Sequence, residues 1–298
     1  MRDLVTRWED WRKLIGPQNS RHRKLVLEQL KTQPALLYWG DSWFSTPLYP
    51  NLARQSAARI AGIGMLIGKP GATAEQLFSA SDVRKVAERL RHNPFDVLCL
   101  SAGGNDALSQ RLARVFAAWM DGQQARIGAQ QAYTELVTRK FFAQLVVRYR
   151  SVLDALQPAK QARPGFRVIG HAYAPLLKIG VPGDLSVPNI GLIALLKDDV
   201  GPWLWGPMQH VLPDKAEAKR FADLLLLDGF RDSVMRPLAQ AYPQLFSYAD
   251  FSTVPAIAQA ASWYDEIHPT GDGFAALADV FNDAIRAALP VAKRAAVG

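Results

Sequence analysis

Three short segments carry the residue types that acyl transfer needs. They are Gly40-Asp41-Ser42-Trp43-Phe44, Gly103-Gly104-Asn105-Asp106 and Asp265-Glu266-Ile267-His268-Pro269. A serine hydroxyl is a poor nucleophile until a neighbouring base takes its proton. His268 is the candidate base for Ser42. Asp265 precedes it by three residues, which puts both side chains on one side of a turn or helical coil. There the carboxylate can hold Nδ1–H, fix the ring tautomer and stabilise the imidazolium that forms during attack. Asn105 brings an amide donor suited to an oxyanion.

Each segment alone has a plainer reading. Gly-Asp-Ser is ordinary turn chemistry, Gly-Gly-Asn-Asp is a good loop, and Asp-x-x-His-Pro could cap a helix around a satisfied histidine. The set gains weight from its order, because each segment lies where an apolar run ends. A parallel sheet delivers such strand ends to one edge.

The elements that must position them follow from hydrophobic periodicity. Ala35-Leu36-Leu37-Tyr38-Trp39 is a continuous apolar run, as expected of a strand buried on both faces. Strands are expected near 36–39, 63–67, 97–100, 166–169 and 245–248, with crossover helices over 81–91, 131–156 and 221–242. A further helix starts at Gly271. Leu4, Trp8, Trp11 and Leu14-Ile15 recur at helical spacing, and 25–30 repeats the pattern, so two helices are expected before the sheet. The simplest organisation is one compact domain over 35–290, with a helical extension over 1–34 packed on it and a short tail over 291–298. Residues 178–213 are the irregular part, rich in Gly and Pro, with Trp203, Trp205 and the apolar stretch 190–196. An excursion of this length at the active edge suits a lid or one wall of a pocket. A structural arm packed on the sheet or on a second subunit is the alternative.

In this order the segments resemble the blocks of the SGNH, or GDSL-type, esterase and lipase family, over nearly all the chain from about 36 to about 281. The resemblance implies a flavodoxin-like three-layer α/β/α sandwich with a parallel sheet of about five strands. It also implies ester hydrolysis through an acyl-enzyme, with no cofactor and no metal. Ser42 matches the family's nucleophile, Asp265 and His268 its acid and base, and Asn105 its oxyanion asparagine. Gly71, in Lys69-Pro70-Gly71-Ala72-Thr73, matches the second-block glycine, whose N–H would join the Ser42 N–H and the Asn105 amide in an oxyanion hole. Gly68 lies close by, and Gly71 could equally serve the turn into a helix over 72–78. Trp43-Phe44 stands where leucine is commonest, and such an aromatic pair either walls an acyl pocket or is plain core. Family members carry a Gly-Pro-Trp segment matched by Gly201-Pro202-Trp203. Trp203, Trp205 and His171 are further candidates for substrate contact, His171 having the plainer reading of a ring fixed by a loop carbonyl. No Gly-x-Ser-x-Gly elbow is present, which speaks against the α/β-hydrolase fold.

Composition narrows the alternatives. No stretch approaches the roughly 20 apolar residues that span a bilayer, and the charged segment 1–16 does not resemble a signal peptide, so a cytoplasmic protein is expected. Cys99 is the only cysteine, which excludes an intramolecular disulfide and a cysteine metal cluster. The net charge of +8 comes from scattered residues. Its densest group, Arg21-His22-Arg23-Lys24, reads as a solvated helix face, so no nucleic-acid partner is expected. The expected partner is a small-molecule or lipid ester, and the abundance of aromatics favours an acyl chain. A carbohydrate O-deacetylase, or an idle lipid- or sugar-binding protein on the same scaffold, are the competing readings. Oligomeric state is not legible.

Overall fold

A computed structural model describes residues 3–46, 50–183 and 201–298. Six strands form one sheet: β1 (Asp3–Val5), β2 (Ala35–Gly40), β3 (Ile63–Gly68), β4 (Val97–Ser101), β5 (Arg167–Ala172) and β6 (Phe246–Asp250). The spatial order is β1-β3-β2-β4-β5-β6, and every pairing is parallel. Without β1 this is the 2-1-3-4-5 order of flavodoxin-like sheets, whose direction of winding reverses between the first and third strands. Here that switch falls between β2 and β4, the strands that lead into Ser42 and Asn105.

Two adjacent side chains reveal the layers, since successive residues of a strand point to opposite faces. Tyr38 reaches Ser56 with its hydroxyl at 3.0 Å, and Ser56 in turn donates to Asn282, joining helices Leu52–Ala58 and Gly271–Ala288 on one face. Trp39 packs edge-on against Phe78 at 5.2 Å, and Phe78 against Tyr149 at 5.3 Å, on the face covered by helices Ala80–His92 and Phe141–Ala155. The result is the three-layer α/β/α sandwich that the resemblance implies.

Three elements differ from the sequence expectation. Leu4 lies in a strand rather than on a helix: Asp3–Val5 pairs with Ile63–Met65 and covers an edge of β3 that would otherwise leave backbone groups unpaired. The first helix, Trp8–Ile15, begins only after the extended Arg7. The expected helix over 131–156 is two helices, Ala129–Thr138 and Phe141–Ala155, because Lys140 takes a left-handed conformation with φ 57°. The helix expected over 221–242 is longer and irregular. It starts at Lys215, capped by Asp214, and runs through a π-helical stretch, Leu224–Met235, to Ala241. Of the segment 178–213, residues 184–200, and with them the apolar stretch 190–196, lie outside the described residues.

Candidate active site

The strand β2 ends in a glycine for a steric reason. Gly40 lies in register with Gly68 of β3 and Ser101 of β4, and a Cβ on it would stand 2.7 Å from Ser101 Cβ and 2.8 Å from the Ser101 carbonyl oxygen. With the strand ends this close, the chain turns at once. Asp41 takes an extended conformation and caps the short helix Ser42–Ser45, its Oδ1 accepting the Trp43 N–H at 3.1 Å. Ser42 is thereby the first residue of a turn at the carboxyl edge of the sheet, and it is only partly buried.

The acid–base turn comes from the far end of the chain. Asp265 Oδ1 accepts the N–H groups of Ile267 and His268, both at 2.8 Å, which shapes the turn itself. Its Oδ2 lies 2.9 Å from His268 Nδ1. His268 Nε2 then faces Ser42 Oγ at 3.3 Å, across 226 residues of sequence. A carboxylate only accepts, so Nδ1 carries the proton and Nε2 presents a lone pair to the serine hydroxyl. The longer serine–histidine separation is usual for a site without substrate. Burial pushes the Asp265 carboxyl up, but the charge and hydrogen bond of His268, with the two turn N–H groups, outweigh burial and leave it below the usual carboxylate range. Asp265 is therefore ionised wherever the imidazole needs it.

Behind Ser42 lies a buried polar network not evident in the sequence. Asp41 Oδ1 accepts from Ser101 Oγ at 2.8 Å and Oδ2 from the Tyr173 hydroxyl at 3.1 Å. Tyr173 in turn accepts the Gly104 N–H at 3.0 Å, and Ser101 Oγ meets His171 Nε2 at 2.9 Å. Because Ser101 gives its proton to Asp41, His171 must donate from Nε2. The network ties the turn after β2 to the loop after β4, so Ser42 and Asn105 are held from behind by one carboxylate. Burial is the main force raising Asp41, to about 6. Burial likewise lowers His171, to about 3, keeping it neutral.

Asn105 and Ser42 line the same cavity, with Asp41, Trp43, Gly104, Tyr173 and a wall of Leu108, Leu176, Leu204, Leu225, Leu226 and Ile267. Asn105 gives one Nδ2 hydrogen to the Ala72 carbonyl at 3.1 Å, which orients its amide. Asp106 accepts the Ala74 N–H at 2.6 Å and pairs with Arg111, fixing the loop to the segment after β3. Gly71 is placed differently from the expectation. It sits exposed in the Lys69–Ala72 turn behind Pro70, with φ 70°, and does not line the cavity. That is the third position of a type II turn, which requires a positive φ. A deeper apolar cavity shares Gly104, Ala107, Tyr173, Leu225 and Leu226 with the first and runs on to Phe142, Leu145 and Phe230.

The aromatic candidates separate. Trp43 lines the cavity while stacking on His171, at 5.3 Å between ring centres. Phe44 does not line it: its ring is buried against Tyr38 and Phe281. His171 also points inward, packed beside Trp43 and Phe251, and does not line the cavity. Trp203 stands edge-on to His268, 5.5 Å from its ring centre. Trp205 is held by its N–H on Glu266, and its neighbour Leu204, not Trp205 itself, lines the cavity. Glu266 and Ser101 are the site residues that sequence reasoning missed. Glu266 lay inside a quoted motif, yet only its burial distinguishes it from a solvated acid.

No family model matches the chain, and no curated protein matches it. Solved structures similar to it include an extracellular lipase from Streptomyces rimosus, 16% identical over 84% of this chain and 99% of that one, with a TM-score of 0.48. A phospholipase A1 from Streptomyces albidoflavus is 18% identical over 84% and 99%, at 0.46. A family 3 carbohydrate esterase from Clostridium thermocellum is 13% identical over 86% and 99%, at 0.42. Among the described residues the fold is a three-layer α/β/α sandwich around a parallel sheet.

Proposed function

We propose that this protein is a serine ester hydrolase that cleaves carboxylic esters with an apolar acyl group. The observation that carries the reading is the line Ser42 Oγ, His268 Nε2 at 3.3 Å, His268 Nδ1, Asp265 Oδ2 at 2.9 Å. As Ser42 Oγ attacks the ester carbonyl, Nε2 takes its proton, and Asp265 stabilises the resulting imidazolium. The oxyanion is met by the Asn105 Nδ2 hydrogen not given to Ala72 and by the Ser42 N–H. Removing one such donor costs roughly 3–4 kcal/mol of transition-state stabilisation. The imidazolium then protonates the departing alkoxide. Water adds to the acyl-serine with His268 again as base, and the acid leaves.

The nearly unbroken leucine and isoleucine wall of the cavity supports an acyl chain over an acetyl group. A fluorophosphonate probe tests the nucleophile without knowledge of the substrate. Mass spectrometry of the digested protein should find the adduct on Ser42 and lose it in His268→Ala. Labelling spread over other serines, or labelling indifferent to His268, contradicts the reading.

A further inference from the structure

We propose that Glu266 is a positioning residue, whose buried carboxylate fastens Gly180, Leu204 and Trp205 to the acid–base turn and so holds Leu204 in the wall of the acyl site and Trp203 against His268. The proposal rests on the hydrolase reading above and deepens it.

Glu266 is fully buried between Asp265 and His268. A carboxylate removed from water must recover its lost hydration from donors. Glu266 finds backbone donors from both sides of one excursion. Oε1 accepts the N–H of Gly180 at 2.8 Å and of Trp205 at 3.0 Å, and Oε2 accepts the N–H of Leu204 at 2.6 Å. Its own N–H donates to the Val181 carbonyl at 3.0 Å, and the neighbouring Lys178 reaches the Trp263 carbonyl at 2.5 Å. Gly180, Leu204 and Trp205 thus converge on a single side chain. Among the described residues no Lys or Arg pairs with Glu266, and the donors that meet its charge there are backbone N–H groups.

The consequence for the site is geometric. Trp203, just before the two clamped N–H groups, packs edge-on against the His268 ring. Leu204 and Ile267, on either side of the clamp, both line the cavity that holds Ser42. Releasing the clamp moves a wall of the acyl site, while the bonds from Asp265 that shape the His268 turn stay in place. Burial pushes the Glu266 carboxyl up, opposed by the same three N–H groups, which fits a group kept for its acceptor geometry.

Glu266→Gln keeps the shape and turns one acceptor into a donor facing an N–H. Two measurements test the proposal together. By hydrogen exchange, the amides of Gly180, Leu204 and Trp205 should lose protection in the variant, while the central strands keep theirs. On an ester series from acetate to palmitate, kcat/KM for the long esters should fall about tenfold or more, as expected for loss of one charge-assisted hydrogen bond, with acetate much less affected. Glu266→Asp should restore part of the long-chain activity. Unchanged amide protection overturns the clamp, and an equal loss on every ester overturns the positioning role in favour of a general structural one. If the wild type cleaves no ester, it is the hydrolase reading that falls, and the exchange data still decide whether Glu266 holds the segment.

Discussion

Asp41 shows how much of the site rests on a residue that does no chemistry. It receives the Trp43 N–H, the Ser101 hydroxyl and the Tyr173 hydroxyl, and all three donors suit the ionised form. Burial nevertheless raises the carboxyl from 3.8 to about 6. The folded chain therefore binds a proton more tightly than the unfolded one. This group's contribution to stability is present in full below about pH 4 and is lost as pH rises through about 6. Two pKa units correspond to roughly 3 kcal/mol as an upper bound. Urea unfolding between pH 4 and 7 should show the wild type losing up to that much more stability than Asp41→Asn. Equal pH slopes for the two proteins would contradict the buried, raised carboxyl. The convergence of Ser42, Asp265 and His268 was legible because residue type and local spacing single them out. Asp41 was quoted only as a turn residue, and Glu266 only as part of a motif, because nothing local marks an acid as buried.

At the scale of elements, strands β2 to β6 were legible, while β1 and the helix breaks were not. Continuous apolar runs identify β2 and β4 because both faces of a central parallel strand are covered. The break at Lys140 leaves no mark on periodicity, since Phe141 and Phe142 continue the apolar pattern across it. The π-helical stretch Leu224–Met235 was likewise read as an ordinary crossover helix, yet it supplies Leu225 and Leu226 to the cavity beside Ser42 and Phe230 to the deeper one. If the acyl chain runs between these two cavities, Leu226→Trp should block it. The variant should hydrolyse acetate within a few-fold of wild type and lose about tenfold or more on esters of eight carbons and longer, in line with a filled apolar pocket. An unchanged chain-length profile would place the acyl group elsewhere.

Across the whole molecule, the N-terminal part is tied into the sheet and its flanking core. Trp11 is fully buried, stacks on Phe95 at 4.1 Å and donates its indole N–H to Asn93 at 2.9 Å, next to the start of β4. Trp11→Ala should cost about 3–5 kcal/mol in chemical denaturation, the range for large-to-small changes in a core. A loss below about 1 kcal/mol would mean that the segment is dispensable. Leu4 was read onto the helix because three residues are too few to show a strand period. Its pairing with Gly64 depends on an exposed edge that exists only once the sheet has formed. Among the described residues, no helix is long and apolar enough to cross a membrane.

The most direct test of the account is hydrolysis of p-nitrophenyl esters from acetate to palmitate by the wild type and by Ser42→Ala, with folding of both verified by circular dichroism. The account predicts turnover by the wild type, an optimum beyond acetate, and a loss in the variant of about 10⁴-fold or more, as for removal of a triad nucleophile. Turnover that survives in Ser42→Ala would contradict it.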